Sequence, residues 1–402
     1  MLRKEGRSPV VSYAWVPYLL TMLLFLALMR PNWLHRQAMM FGPFADAHVY
    51  GRAIRTAALG LDPYRTPALD LPFVYPPLVL RCGVLLRALV LHHVSFCIYI
   101  LLTWAGVLSL PWIICSAYIR SQWFTPWLGM LIFAFQPFFT YEGVVFTGNI
   151  VLILLPLALL AGVRGVRHRR WGLFYVVVGL CALIKAPMLA LLLLPALSDD
   201  KEWKPSIFTT IAVCAVYLAQ RLAMPQAYGE YQRNAWEQVI VHKDTGFNLL
   251  SYVTHQERNL AVLRHAAVPP AIQVAVIALL AAAFYWYRRR REDEDLRPLW
   301  MPALLVLSIL ADPRLQHIDA CAAILPCLYL WVECIRRLAR NPQWWRIFVL
   351  AFVFFQFLTP KQFEMGEIGL LYGSLLLVLA VTIRPPAILS QSGPPLATAA
   401  DR

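Results

Sequence analysis

Apolar runs long enough to cross a membrane alternate along this chain with short polar or basic stretches. That alternation predicts an all-α, polytopic membrane protein. A span needs about 20 mainly apolar residues, and the apolar runs read as spans or their cores fall at Val16–Met29, Val94–Ala117, Phe124–Tyr141 and Gly148–Val163. Later ones fall at Ser206–Met224, Val268–Tyr287, Pro298–Ala311, Ala320–Ile335, Arg346–Leu358 and Ile368–Ile383. The run from Trp171 to Leu197 carries Lys185 and Pro187 in its middle. A lysine at mid-bilayer costs roughly 2.5–3.5 kcal/mol on insertion scales, and proline breaks or kinks a helix. Two short helices, Trp171–Ile184 and Met188–Leu197, folded back at Lys185-Ala186-Pro187, remove both penalties. Parity favours the same hairpin. Only the hairpin leaves Arg288–Arg291 and the cluster Arg336, Arg337 and Arg340 on the side of the basic N-terminus, as the positive-inside rule expects. The total is about twelve membrane segments, with the N-terminus in the cytoplasm.

Composition narrows the class. With 60% hydrophobic and 14% charged residues over 402 positions, the chain is not an ordinary soluble domain. Its net charge of +14 sits in clusters between apolar runs, which reads as topology signals and headgroup contacts, not as a nucleic-acid surface. The eight cysteines lie mostly in or beside apolar runs, with no CxxC or Cys/His ligand spacing. They read as small buried hydrophobes, with no disulfide and no metal site. Arg3, Lys4 and Arg7 precede a first run that continues into Arg30-Pro31-Asn32 without a small-residue cleavage site, so the first helix is expected to be uncleaved. Residues 1–384 form a single transmembrane domain in this reading, and 385–402, rich in Pro, Ser and Ala, a disordered cytoplasmic tail.

Two long segments fall on the external side, residues 35–93 and 225–267. Within the first, Asp46 and Tyr50 lie one helical turn apart on one face. Gly60 and Asp62-Pro63-Tyr64 then break the helix, and Phe73, Tyr75, Pro76 and Pro77 close the segment. Pro77–Val90, with Arg81 and Arg87 among leucines and valines, reads as an interfacial amphipathic helix with snorkelling arginines. The costly residues gather on this side too. Asp46, His48, Tyr50, Asp62 and Tyr64 occupy the first loop; Glu142 and Asn149 flank the next outward turn; Lys185 tips the hairpin. Arg314 and His317 follow the ninth span, Lys361 follows the eleventh, and the second loop adds Arg233, His242, Lys243, Asn248 and Arg258. An acid facing several cations at the membrane boundary suits an anionic lipid-linked substrate meeting a polar acceptor. Plainer readings stand beside this one. Asp46 can be a solvated surface acid, Lys185 a snorkelling lysine, and Arg314 and His317 interfacial anchors. Tyr75-Pro76-Pro77 can simply end a loop and start a helix. A lipid flippase or transporter is the rival function, since intramembrane ionisable residues mark substrate pathways and Lys185-Ala186-Pro187 resembles a broken transporter helix. Against it, no inverted repeat is visible and the polar residues concentrate in external loops.

The run Asp46-x3-Tyr50, Gly60-x-Asp62-Pro63-Tyr64 and Phe73-x-Tyr75-Pro76-Pro77 resembles the first external loop of glycosyltransferase family 87. These are GT-C-fold, polyprenyl-phosphate-mannose-dependent α-mannosyltransferases of bacteria. Four further stretches resemble the family in the same order. Gly148-Asn149-Ile150-Val151-Leu152 looks like its GQxNL segment, with Asn where Gln is usual. Leu183-Ile184-Lys185-Ala186-Pro187 looks like its K-x-x-P hairpin, one residue shorter. Gly246-Phe247-Asn248-Leu249-Leu250-Ser251 is similar to its NQS segment without the Gln. Asp312-Pro313-Arg314-Leu315-Gln316-His317 looks like its SPxSWxHH element, keeping Pro and one His. The resemblance covers about residues 40 to 330 and implies a GT-C-type fold in a bacterial inner membrane, with an extracytoplasmic active site. It implies transfer of a hexose, mannose in the family, from a polyprenyl-phosphate donor to a glycolipid or glycan acceptor with inversion and no cofactor. Asp46 would be the catalytic base and His317 would lie near the donor phosphate. Lys185, Arg314, Tyr50, Tyr64, Tyr75, Asn149 and Asn248 complete the expected substrate site. A GT-C enzyme of another family, arabinosyl- or protein mannosyltransferase, shares an acid in the first external loop and remains an alternative at this point.

Overall fold

The computed structural model describes residues 15–24, 27, 44–65, 72–89, 92–135, 147–198, 202–240, 268–290, 296–312, 317–338 and 363–383. Every regular element among them is helical. The predicted span Arg346–Leu358, residues 241–267 of the second loop, Asn248, Arg314 and the tail lie outside the described residues. Helix α1 (Trp15–Leu24) precedes the first loop, whose helices are α2 (Ala45–Ala58) and α3 (Pro77–Leu89). There follow α4 (His92–Ile113), running into a π turn over Ile114–Ile119, α5 (Pro126–Phe135), α6 (Val151–His168) and α7 (Gly172–Ile184). A 3-10 stretch over Ala186–Leu192 leads into α8 (Leu193–Ser198), then α9 (Trp203–Ala223) and α10 (Pro225–Ile240). The last four are α11 (Val268–Arg290), α12 (Arg297–Leu310), α13 (His317–Leu338) and α14 (Phe363–Ile383). By length and composition, Val94–Ile119, Val151–His168, Trp203–Ala223 and Ile318–Arg337 are each able to cross a membrane, and six shorter apolar helices accompany them.

Burial separates the centre of the bundle from its rim. All nine residues from Pro302 to Leu310 are buried, so α12 is apolar on every side because protein encloses it. In α13 83% of the apolar window is buried, against 17% in α9. Helix α9 turns Phe208, Ile211, Leu218 and Leu222 outward. An exposed face that large and apolar belongs against lipid. Helix α1 docks on α4, where the Tyr18 hydroxyl donates to the Leu108 carbonyl and the Tyr18 ring meets Trp112 edge-on at 5.1 Å.

Side-chain bonds fix the directions of the helices. The hydroxyls of Tyr99 and Tyr118 donate to the carbonyls of Gly148 and Leu159, both at 2.7 Å, so α4 and α6 run the same way. Helix α7 returns antiparallel to α6: Trp171 packs on Gly165, and Cys181 meets the Leu154 carbonyl at 3.7 Å. Tyr175 bonds Glu202 and Tyr217 bonds the Ala182 carbonyl, so α7 and α9 are parallel. Two parallel helices in sequence require the chain to come back between them, and Ala186–Ser198 is that return. The break predicted at Lys185-Ala186-Pro187 is the turning point. Helix α7 ends at Ile184, Lys185 is extended (φ −135°, ψ 99°), and Pro187 enters the 3-10 stretch near its start, where a missing N–H costs nothing. One end of the bundle therefore carries the starts of α4 and α6 and the ends of α7 and α9.

Candidate active site

The first loop is seated on that same end. Its helices α2 and α3 form a small apolar cluster of Val49, Ala53, Tyr64, Phe73 and Leu80, to which α10 adds Ala227 and Tyr231. Polar bonds fasten the cluster. The Asn234 amide donates to the carbonyls of Tyr64 (2.9 Å) and Phe73 (3.3 Å), and Gln220, near the end of α9, accepts the Leu78 N–H at 3.0 Å. Glu230 lies between Arg65, at 2.7 Å, and Arg233. Tyr64 is inside this packing. Its hydroxyl donates to the Tyr75 carbonyl at 2.8 Å, and its N–H is taken by Asp62 at 2.9 Å. Burial pushes the phenols of Tyr64 and Tyr231 up, the latter to about 12, so both remain neutral at physiological pH.

Asp46 is the second residue of α2, and the segment before α6 holds it from two directions. Its backbone N–H donates to the Thr147 carbonyl at 2.9 Å, and its carboxylate accepts the Asn149 side-chain amide at 2.8 Å. The Asn149 carbonyl oxygen accepts the Val151 N–H at 3.1 Å, and the Asn149 N–H reaches the Thr147 hydroxyl at 3.2 Å. Asn149 is therefore bonded on both ends of its amide, a role that needs one donor and one acceptor on a planar group. Gly148 makes the approach possible. It sits at φ +66°, and a Cβ there would lie 3.1 Å from that of Ala47 and 3.3 Å from that of Phe44. Phe44, immediately before α2, is itself left-handed at φ 61°, a conformation costing a non-glycine residue about 1–2 kcal/mol. Such strain persists where the surroundings over-determine it, and functional sites collect it. The carboxylate lies near the N-termini of two helices, α2 and α6, whose positive ends favour its charge.

Tyrosines wall this corner. The hydroxyls of Tyr50 and Tyr75 are 2.7 Å apart with rings edge-on, and Tyr99 stands edge-on to Tyr50 at 6.1 Å. Burial pushes the Tyr50 phenol well above its ordinary range, and Tyr75 and Asp46 push it the same way. It stays a neutral hydroxyl beside the carboxylate.

Lys185 reaches the same end from the other side. Leu154 and Cys181 touch, Asn149 lies five residues before the one and Lys185 four after the other, so both fall at this end of the bundle. Its ammonium lies 2.7 and 2.8 Å from the two carboxylate oxygens of Asp319, in the first turn of α13. The pair is largely shielded, with 18% of the Lys185 side chain and 8% of that of Asp319 exposed. Of the predicted site residues, Asp46, Tyr50, Tyr75 and Asn149 thus come together directly. Lys185 joins at the same end, Tyr64 supports Tyr75 from within the packing, and His317 is the first residue of α13. Asp319, Tyr99 and Asn234 are not among the sequence-based site residues. Asp319 had a signal, because a lysine buried at a helix break needs a counter-charge and Asp319 stands two residues after His317.

Among the described residues, an all-helical bundle with apolar, membrane-length helices defines the class: a polytopic membrane protein. The family model for glycosyltransferase family 87 matches residues 73–313, more than half of the chain, and the chain belongs to that family. It is a membrane glycosyltransferase, and the transporter reading gives way to this. No curated protein matches the chain. The matched stretch contains Tyr75, Asn149, Lys185 and Asn248, while Asp46, Tyr50 and Tyr64 precede it and His317 follows it.

Proposed function

We propose that this membrane glycosyltransferase transfers a hexose, mannose by resemblance to the family, from a polyprenyl-phosphate donor to a glycolipid or glycan acceptor. The reaction takes place on the extracytoplasmic side of a bacterial plasma membrane. The observation that carries the reading is the 2.8 Å bond from Asn149 to Asp46, which joins an acid outside the family match to a residue within it. In this mechanism Asp46 accepts the proton of the acceptor hydroxyl as its oxygen attacks the anomeric carbon. The bond from that carbon to the phosphate oxygen breaks, and the anomeric centre inverts. A β-linked donor therefore gives an α-glycoside and free polyprenyl phosphate. General-base catalysis of this kind contributes roughly 10²–10⁴-fold.

The departing phosphate gains negative charge, and fixed cations aimed at developing charge lower such barriers. Lys185, Arg314 and His317 take that part. Tyr50 and Tyr75 present their hydroxyls beside the base, Tyr64 holds Tyr75 in place, Asn149 orients the carboxylate, and Asn248 contacts substrate from the second loop. No cofactor enters the scheme. The test is turnover: purified protein in lipid, radiolabelled polyprenyl-phosphate-mannose and a membrane extract as acceptor, run beside Asp46→Asn. Label is expected in a new glycoside with the unmutated protein and not with the variant. Equal transfer by folded Asp46→Asn protein sinks the base assignment, and donor crossing the bilayer uncleaved sinks the reaction.

A further inference from the structure

The bidentate pair between Lys185 and Asp319 points beyond the residues assigned so far: the geometry assigns Asp319 as the positioning residue for the lysine that meets the donor phosphate. This inference rests on the transfer reading above and adds to it a residue beyond the family match. A lysine ammonium has three N–H donors and turns freely on a flexible stem. Here the ammonium sits 2.7 and 2.8 Å from the two Asp319 oxygens, which fixes where it lies while leaving N–H capacity for a phosphate. Both ends of the pair are anchored in backbone. Lys185 ends α7, its N–H bonded to the Cys181 carbonyl and its own carbonyl accepting from Met188. Asp319 lies in the first turn of α13 between the buried Ile318 and Ala320. The helix stop that leaves Lys185 extended therefore presents a fixed ammonium at a chain reversal, at the end of the bundle that also holds Asn149 and Asp46. Stabilisation of a leaving phosphate grows as its bond to the sugar breaks, because the phosphate then gains charge. Misplacing the ammonium should therefore lower kcat more than it alters the KM for donor.

A double-mutant cycle in the full-length protein tests this, with polyprenyl-phosphate-mannose as donor and thermal unfolding recorded for every variant. Asp319→Asn is expected to lower kcat about tenfold while the donor KM moves less than about threefold. In a Lys185→Gln background, where no ammonium remains to be aimed, the same change should alter kcat less than about twofold. Asp319→Glu keeps the charge and displaces it by one methylene, and should fold where Asp319→Asn fails to. It is expected to have an intermediate kcat with an unchanged KM, and no effect in the Lys185→Gln background. Wild-type kcat in both Asp319 variants overturns the assignment, as does an equal loss in both backgrounds, which would mark Asp319 as acting independently of Lys185. Absence of transfer by the unmutated protein overturns the parent reading and this one with it, whereas transfer with unaltered Asp319 variants overturns this one alone.

Discussion

Replacing Asn149 by Asp puts the proposed base to a test that loss of activity alone does not provide. The substitution keeps the oxygen that accepts the Val151 N–H at 3.1 Å, so the first N–H of α6 keeps its acceptor. It removes the amide that donates to Asp46 at 2.8 Å and sets a second carboxylate in its place. Two like charges about 4 Å apart in a half-exposed site repel by about 4 kcal/mol. The pair then shares one proton up to a higher pH than a lone carboxylate does. At about 1.4 kcal/mol per unit, the loss of the shared proton should move up by about 3 units, adding a second rise to the pH–rate profile. While the proton is shared, Asp46 is ionised in only part of the molecules, so kcat/KM is reduced near neutrality and rises again once the pair loses its last proton. The assay is kcat/KM for donor between pH 5 and 9.5, with Asp46→Asn as the inactive control and thermal unfolding to verify the fold. A profile with no second rise refutes the reasoning, because a carboxylate in contact with residue 149 would then not be the group whose ionisation limits the rate.

Two further substitutions probe how the corner is built. Gly148→Ala combines a left-handed backbone at φ +66° with a Cβ 3.1 Å from that of Ala47; it should destabilise by about 1–2 kcal/mol. Because the relief is for α2 to move off α6, turnover should fall further than the melting temperature implies, and normal kinetics in a destabilised protein would count against that coupling. Asn234→Leu removes both donors that hold the Tyr64 and Phe73 carbonyls at 2.9 and 3.3 Å, at a cost of about 1–3 kcal/mol for buried acceptors left unpaired. Faster proteolysis within residues 44–89 is the expected readout, and an unchanged cleavage rate would show that the apolar cluster alone seats the loop.

Much of the architecture is legible because it depends on local pattern. Runs of apolar residues become helices, and a lysine followed by proline stops one, since both penalties act on the residues that carry them. The Asp46-x3-Tyr50 spacing is legible for the same reason. Helix ends are less so. The run read as Gly148–Val163 forms a helix over Val151–His168. Gly148 has a positive φ and Asn149 bonds the Val151 N–H with its side chain, so the helix starts late. Arg164 and Arg167 are good helix formers whose long stems let the helix run on to its polar end. The span read as ending at Ala117 continues to Ile119 through a π turn that follows Pro111, an irregularity proline promotes by removing a backbone donor. What pattern does not encode is which distant residues meet. Asn149 and Asp46 are 103 residues apart, and Lys185 and Asp319 are 134 apart. The contacts arise from the packing of α2 on α6 and of α7 on α13, which periodicity within any one segment leaves open.

Those two contacts also account for the place of the proposed site at one end of the bundle. Each joins a residue inside the stretch that matches the family, Asn149 or Lys185, to an acid outside it, Asp46 before and Asp319 after. Both acids lie in the first turn of a helix, α2 and α13, where unpaired N–H groups and the helix dipole stabilise negative charge. Their partners lie where α6 begins and α7 ends, places with no helical ladder to disturb. A carboxylate or an ammonium at the middle of a span has neither benefit, since the backbone there is already bonded and water is absent. Helix termini are thus the positions in a membrane bundle that hold charge at least cost. A loop cap fastened by Asn234, Glu230 and Gln220 then covers the end where four such termini converge.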